Sequence, residues 1–222
     1  LVAYLLAMAG LSPTIAVGGV LTNIANNAKL GVGKFFVAEA DESDGTFLAY
    51  DHTYSIITNI DHEHLDYYKT FSNIKAAFKK FVLKGRRKGC VLWCYDDSEL
   101  AAIMNNIGRK NISFGLSEHA DIFARNIECN VFHSSFDVFY RRTFLQRFGL
   151  ALSGRHNISN ALSVIALGME LGIDRALIQK TLENFRGVKR RFQKKYNHNN
   201  ILIIDDYAHH PTEIRTILQA AQ

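Results

Sequence analysis

Short apolar runs rich in β-branched and aromatic residues alternate along this chain with longer stretches in which apolar positions recur at helical spacing. That alternation is the pattern of βαβ units built around a mainly parallel sheet. Residues 35–38 (Phe-Phe-Val-Ala) and 55–58 (Ser-Ile-Ile-Thr) read as two strands, and 88–94 and 111–114 as two more, with a helix over 97–107 between them. Apolar residues at Phe71, Ile74, Ala77, Phe78 and Phe81 predict a helix over 71–83. The apolar run 1–11 is too short for a bilayer, which takes about 20 residues, and has no basic flank. It reads as a buried helix ended by Gly10, and no membrane insertion is expected.

From 121 to 152 the periodicity changes to strand-like alternation, as in Phe136-Asp137-Val138-Phe139-Tyr140, which predicts an antiparallel hairpin or meander added to the parallel sheet. Helices follow over 157–171 and 175–185, the second with Asp174 as its N-cap. Residues 187–200 are basic, polar and irregular, and behind them come a strand at 201–204 and a helix opening near Pro211. The change at 187 divides the chain into a unit of 1–187 and the beginning of another over 188–222.

Composition narrows the class. The chain has 222 residues, 48% hydrophobic and 21% charged, enough for a sizeable core without staples. Its three cysteines are odd in number and irregularly spaced, and Cys90 and Cys94 lie in an apolar run; this argues for core packing in a reducing cytoplasm. The net charge of +5 raises the question of nucleic acid. The basic clusters are short, separated and free of interleaved aromatics, so solvated loops or anion sites explain the charge better, and no nucleic-acid partner is expected.

Candidate chemistry gathers just past the strands, where an α/β sheet places its ligand crevice. Glu39, Asp41, Glu42 and Asp44 follow the strand at 35–38, as a metal or phosphate site or as a solvated acidic turn. Asp61, His62, Glu63, His64 and Asp66 follow the next strand; their spacing is not that of the His-Glu-x-x-His zinc helix. Two such clusters at the ends of neighbouring strands suggest a magnesium-nucleotide crevice. Asn157 and Asn160 share one face of a helix N-terminus, suited to a base edge or phosphate, or to simple capping by Asn157. Gly187-Val188-Lys189-Arg190-Arg191-Phe192 can clamp phosphate oxygens or serve as a solvated linker.

Six strings in order carry a resemblance: Ala38-Glu39-Ala40-Asp41-Glu42-Ser43-Asp44, Thr58-Asn59-Ile60, His64-Leu65-Asp66-Tyr67-Tyr68, Gly154-Arg155-His156-Asn157, the basic string at 187–192, and Asp205-Asp206-Tyr207-Ala208-His209-His210-Pro211-Thr212-Glu213. Together they resemble the Mur ligase family. The resemblance implies a P-loop ATPase-like central domain and the start of a Rossmann-like C-terminal domain that binds the amino acid. It implies ATP and Mg2+ as cofactors, UDP-N-acetylmuramate and L-alanine as substrates, an acyl-phosphate intermediate and a cytoplasmic setting.

Residue by residue, it implies that Glu39 and His64 hold magnesium, that Asn157 and Asn160 contact the nucleotide, and that Arg191 contacts phosphates. It implies further that Asp206 closes the nucleotide site, with His64, Arg191 and Asp206 the catalytic set. Tyr207, His209 and His210 would lie at the amino-acid end. Family members carry a glycine-rich phosphate loop with a lysine just before the helix that begins here at Leu1, so the chain is expected to be a fragment, inactive by itself. Two other readings stay open: a relative that reattaches recycled murein peptide to UDP-N-acetylmuramate, and a non-catalytic module.

Overall fold

The computed structural model describes residues 1–221. Helix α1 (Val2–Met8) buries Ala3, Leu5 and Leu6 and ends where the sequence places the stop. Gly10 adopts φ +71°, which lets its N–H reach Ala7 O at 3.0 Å and the Leu11 N–H reach Leu6 O at 2.9 Å. This double closure satisfies carbonyls the helix would otherwise leave open.

Three strands form a first sheet in the order β2-β1-β3. They are β1 (Thr14–Leu21), β2 (Asn26–Lys29) and β3 (Phe36–Ala38); β1 runs antiparallel to β2 and parallel to β3. A short 3-10 turn, Thr46–Ala49, leads to β4 (Tyr54–Ile57), which begins a second sheet of order β4-β5-β6-β7-β8-β9.

In that sheet β4, β5 (Cys90–Cys94), β6 (Asn111–Gly115) and β7 (Ile122–Asn130) are parallel. The meander of β7, β8 (His133–Tyr140) and β9 (Thr143–Leu150) is antiparallel, as the alternation predicts. All five residues of β5 are buried, the mark of a strand covered on both faces. Cys90 and Cys94 are core residues, and burial pushes the Cys90 thiol up to about 11.

The crossovers are helical. The short α2 (Leu65–Tyr68) and α3 (Phe71–Lys84) follow β4, and Thr70 caps α3 by accepting the Asn73 N–H at 3.2 Å. Helix α4 (Ser98–Met104) is capped by Asp97, whose second oxygen accepts the Ile60 N–H at 3.1 Å and so ties the loop after β4 to this helix. Helix α5 (Arg155–Glu170) lies across β5, β6 and β7 with an almost continuous buried face. Helix α6 (Arg175–Asn184) is capped by Asp174 as expected.

Two expectations are corrected. The strands at 35–38 and 55–58 are successive in the chain but not hydrogen-bonded neighbours: β3 pairs with β1, a strand the sequence reading leaves out because Gly18-Gly19 interrupts its apolar run. The stretch 187–200 is not irregular throughout. It contains β10 (Gln193–His198), which pairs with β11 (Ile201–Asp205) through a two-residue turn. Asn199 and Asn200 take φ +49° and +59° there, conformations asparagine tolerates well. Because β10 is mostly exposed, its sequence carries no apolar alternation to betray it.

Ahead of the hairpin the chain runs beside β1. The Thr22 N–H donates to Gly187 O at 3.1 Å, the Lys189 N–H to Val20 O at 2.9 Å, and Leu21 bridges Val188. Helix α7 (Pro211–Ala221) follows the hairpin.

Candidate functional site

The two acidic stretches converge even though their strands do not pair. Tyr68 Oη donates to Glu42 O at 2.5 Å, and a methyl group on Gly45 would lie 2.7 Å from Tyr67 Oη. Glu42, Asn59, Asp61, Glu63, His64 and Tyr68 line one small cleft between them. Burial, with neighbouring carboxylates adding to it, raises the Tyr68 phenol to about 12, so it stays protonated and donates. The Ser43 N–H and hydroxyl hold Asp41 below the usual carboxylate range, with the nearby His64 contributing.

Glu39 stands at the end of β3 with one carboxylate oxygen accepting the Gly18 N–H at 2.7 Å. Gly18 has no side chain, and a methyl group there would sit 3.3 Å from that oxygen. His64 takes φ +56° at the start of α2, with Nε2 3.7 Å from Glu63. Glu39 and His64 are thus on the two converging loops, but the tightest group of ligand-type atoms among the described residues is a different one: Asp61, Glu63 and His210. Asp61 and Glu63 belong to the acidic stretch that the sequence marks as candidate chemistry, but the resemblance assigns His64 and not these two to the metal. Their partner is almost 150 positions away, beyond the reach of spacing.

The C-terminal segment brings its own network. Asp206 spends both oxygens on backbone, accepting the Phe192 N–H at 2.6 Å and the Ala208 N–H at 2.7 Å, so it holds the turn between the basic string and the histidines. Arg191 reaches Glu213 at 3.4 Å and lies 5.9 Å from the Tyr207 ring; Arg190 is closer to that ring, at 4.8 Å. Glu213 also accepts the N–H groups of His209 and His210, at 3.2 and 3.5 Å, which caps α7. Burial alone would raise the Glu213 carboxyl, but these donors and Arg191 outweigh it and hold it below its ordinary range.

At the opening of α5 the capping expectation is revised. Gly154 is the N-cap, at φ +94°, and Asn157 instead donates from Nδ2 to Ser153 O at 2.6 Å. The Asn160 side-chain amide makes no hydrogen bond among the described residues; only its backbone carbonyl accepts, from Ser163. His156, between them and Gly154, is buried, and burial lowers its pKa against an opposing pull from Asp206. Helix α7 approaches the same place, since a methyl group on Gly154 would lie 3.1 Å from Ala220 Cβ.

A largely parallel α/β sheet with carboxylate-rich loops past its strands, covered from one side by a C-terminal segment, is a framework that forms a ligand crevice at its strand ends. The comparisons agree: the chain belongs to the Mur ligase family, whose middle domain matches residues 18–168. Over all 222 residues it is 45% identical to the UDP-N-acetylmuramate--L-alanine ligase of Desulforapulum autotrophicum, and covers 49% of that protein. The UDP-N-acetylmuramate-alanine ligase of Thermotoga maritima superposes with a TM-score of 0.87 at 32% identity, over 99% of this chain and 50% of that one. The ligase for UDP-N-acetylmuramate and L-alanyl-γ-D-glutamyl-meso-diaminopimelate from Neisseria meningitides gives 0.74 at 28% identity, over 85% and 62%. The chain therefore spans about half the length of the curated relatives it matches.

Proposed function

We propose that the protein carrying this chain is an ATP-dependent ligase that joins L-alanine to UDP-N-acetylmuramate in the cytoplasm, in cell-wall synthesis. The observation that carries the reading is identity of 45% with an alanine-adding ligase over the whole chain. The weaker likeness to the tripeptide-adding ligase ranks that reaction second.

In this reading residues 1–187 are the ATP-binding central domain and 188–222 the beginning of the amino-acid-binding domain, with a hinge at Gly187, where φ is +76°. The muramyl carboxylate attacks the γ-phosphate of ATP and expels ADP, and the amine of alanine then displaces inorganic phosphate from the resulting acyl phosphate, losing a proton as the amide forms. Asn157 and Asn160 lie at the N-terminus of α5, where backbone N–H groups favour a nucleotide phosphate. Asn160 has the freer amide. Arg191 and Asp206 come from the segment that folds over them. Arg191 would exchange Glu213 for phosphate oxygens, while Asp206 shapes the turn that presents Tyr207, His209 and His210.

Glu39 fits a magnesium ion, because only one of its oxygens is engaged and the group is exposed at a strand end. His64, on the converging loop after β4, offers a nitrogen, a softer donor. Bound there, magnesium would neutralise charge on the phosphoryl oxygens.

The test is a ligation assay with UDP-N-acetylmuramate, Mg-ATP and a series of amines. Alanine should lead, with glycine and serine poor but detectable, since one methylene changes discrimination by only about 1–3 kcal/mol. Glu39→Ala and His64→Ala should each lower turnover about 10²-fold. A tripeptide that outperforms alanine overturns the assignment.

A further inference from the structure

His209 and His210 are adjacent in sequence and opposite in surroundings. The His209 side chain is 73% exposed, and its contacts stay within its own segment: Nδ1 is 3.2 Å from Tyr207 O and 3.7 Å from Glu213. The His210 side chain is 29% exposed, and its Nδ1 is shielded from solvent. That nitrogen lies 3.0 Å from Glu63 Oε1 and 4.0 Å from Asp61 Oδ2, on the loop after β4. The two atoms are at contact distance without the alignment of a hydrogen bond.

Both sides of this contact are held. Pro211 restricts the backbone of His210, and Glu213 accepts its N–H, so the imidazole is fixed relative to α7. Across from it, Asp97 anchors the Ile60 N–H, and the His62 ring stacks on Phe71 with centroids 3.6 Å apart. The segment is also attached at its other end, where Val188 bridges Leu21 of β1. Residues 189–209, with Asp206 and Tyr207, are strung between these two attachments.

We infer that His210 is a positioning residue: through Glu63, with Asp61 behind it, it seats the C-terminal segment on the loop carrying His64 and leaves His209 as the imidazole that meets the amino acid. The inference rests on the proposed function and divides two histidines that the sequence groups together. Glu63 becomes the link between the two ends of the site, because its other oxygen faces His64 at 3.7 Å.

The experiment is a double-substitution cycle in the protein that carries this chain. His210→Ala and Glu63→Gln, which keeps the shape of the side chain, should each raise KM for alanine about 10-fold and leave KM for ATP within about two-fold. The double variant should be no worse than either single one, because both remove the same contact. His209→Ala should multiply with each of them. Limited proteolysis between residues 189 and 200 reads the same contact without activity, and Glu63→Gln, His210→Ala and the double variant should accelerate cleavage equally. A multiplied, roughly 100-fold effect in the double variant, or unchanged proteolysis in Glu63→Gln, overturns the inference. If the unsubstituted protein fails to ligate alanine, the proposed function fails instead, and proteolysis still decides the fate of the contact.

Discussion

Gly19 and Val188 meet so closely that a methyl group in place of the Gly19 hydrogen would lie 2.4 Å from Val188 Cγ1. Gly19 is in β1, and Val188 lies in the stretch where the chain leaves the central unit, paired with that strand. The valine is β-branched and partly buried, so it cannot rotate freely out of the way. Gly19→Ala should therefore destabilise the chain by about 1–3 kcal/mol, as overpacking does. The additional change Val188→Ala should recover much of the loss. Urea midpoints of the single and double variants check this, and a double variant no better than Gly19→Ala would show that the strain lies elsewhere.

The same glycines explain what was hidden in the sequence. Strand β1 is absent from the sequence reading because Gly18-Gly19 looks like a break, whereas each glycine makes room for one neighbour, Glu39 or Val188. The strands of the second sheet, the meander and helices α1 and α3–α6 were legible because they bury continuous or periodic apolar faces, whereas α7, which buries none of its side chains, was legible from Pro211 at its start. Hairpin β10–β11 was only half legible. Its second strand, Ile-Leu-Ile-Ile, is apolar; its first, Gln-Lys-Lys-Tyr-Asn-His, is polar, and the Asn199-Asn200 turn was the remaining signal. In the candidate site, the loops could be placed from the strands they follow. That His210 would face Glu63, and not open solvent like His209, depends on tertiary contacts that no local pattern encodes.

The β8–β9 turn departs from the residues such a turn favours. Tyr140 pairs with Thr143, leaving Arg141 and Arg142 at φ +47° and +67°, where Asn-Gly is usual. In the same molecule the β10–β11 turn meets an equivalent demand with Asn199-Asn200. Replacing Arg141-Arg142 by Asn-Gly should stabilise the chain by about 1–2 kcal/mol, because each arginine is held in a sparsely populated conformation. The long Arg141–Asp121 contact, 3.9 Å and exposed, offsets little of this gain. Thermal unfolding of Arg142→Gly alone and of the double change measures it, and a fall in midpoint would show that the arginine side chains contribute more than the backbone strain costs.

Two histidines set the acid side of stability. Burial is the main cause lowering the pKa of His52, which stacks on Phe81 with ring centroids 4.2 Å apart, and burial likewise lowers that of His156. A group whose folded pKa lies below its unfolded value of 6.5 binds more protons when unfolded. Stability then rises with pH across that window, is fully present above about 6.5, and is lost as pH falls toward the folded value. Carboxylates held below their ordinary range, such as Asp51 and Asp137, lose their contribution only at lower pH. Between pH 7 and pH 5 the urea midpoint of the chain should therefore fall, with a slope of at most about 1.4 kcal/mol per pH unit for each histidine. His52→Phe keeps the ring against Phe81 and removes one titrating group, so it should flatten that slope while leaving the midpoint at pH 7 equal or higher. A wild-type midpoint that stays level or rises on acidification, or a slope unchanged by His52→Phe, would show that burial of these rings does not govern the response.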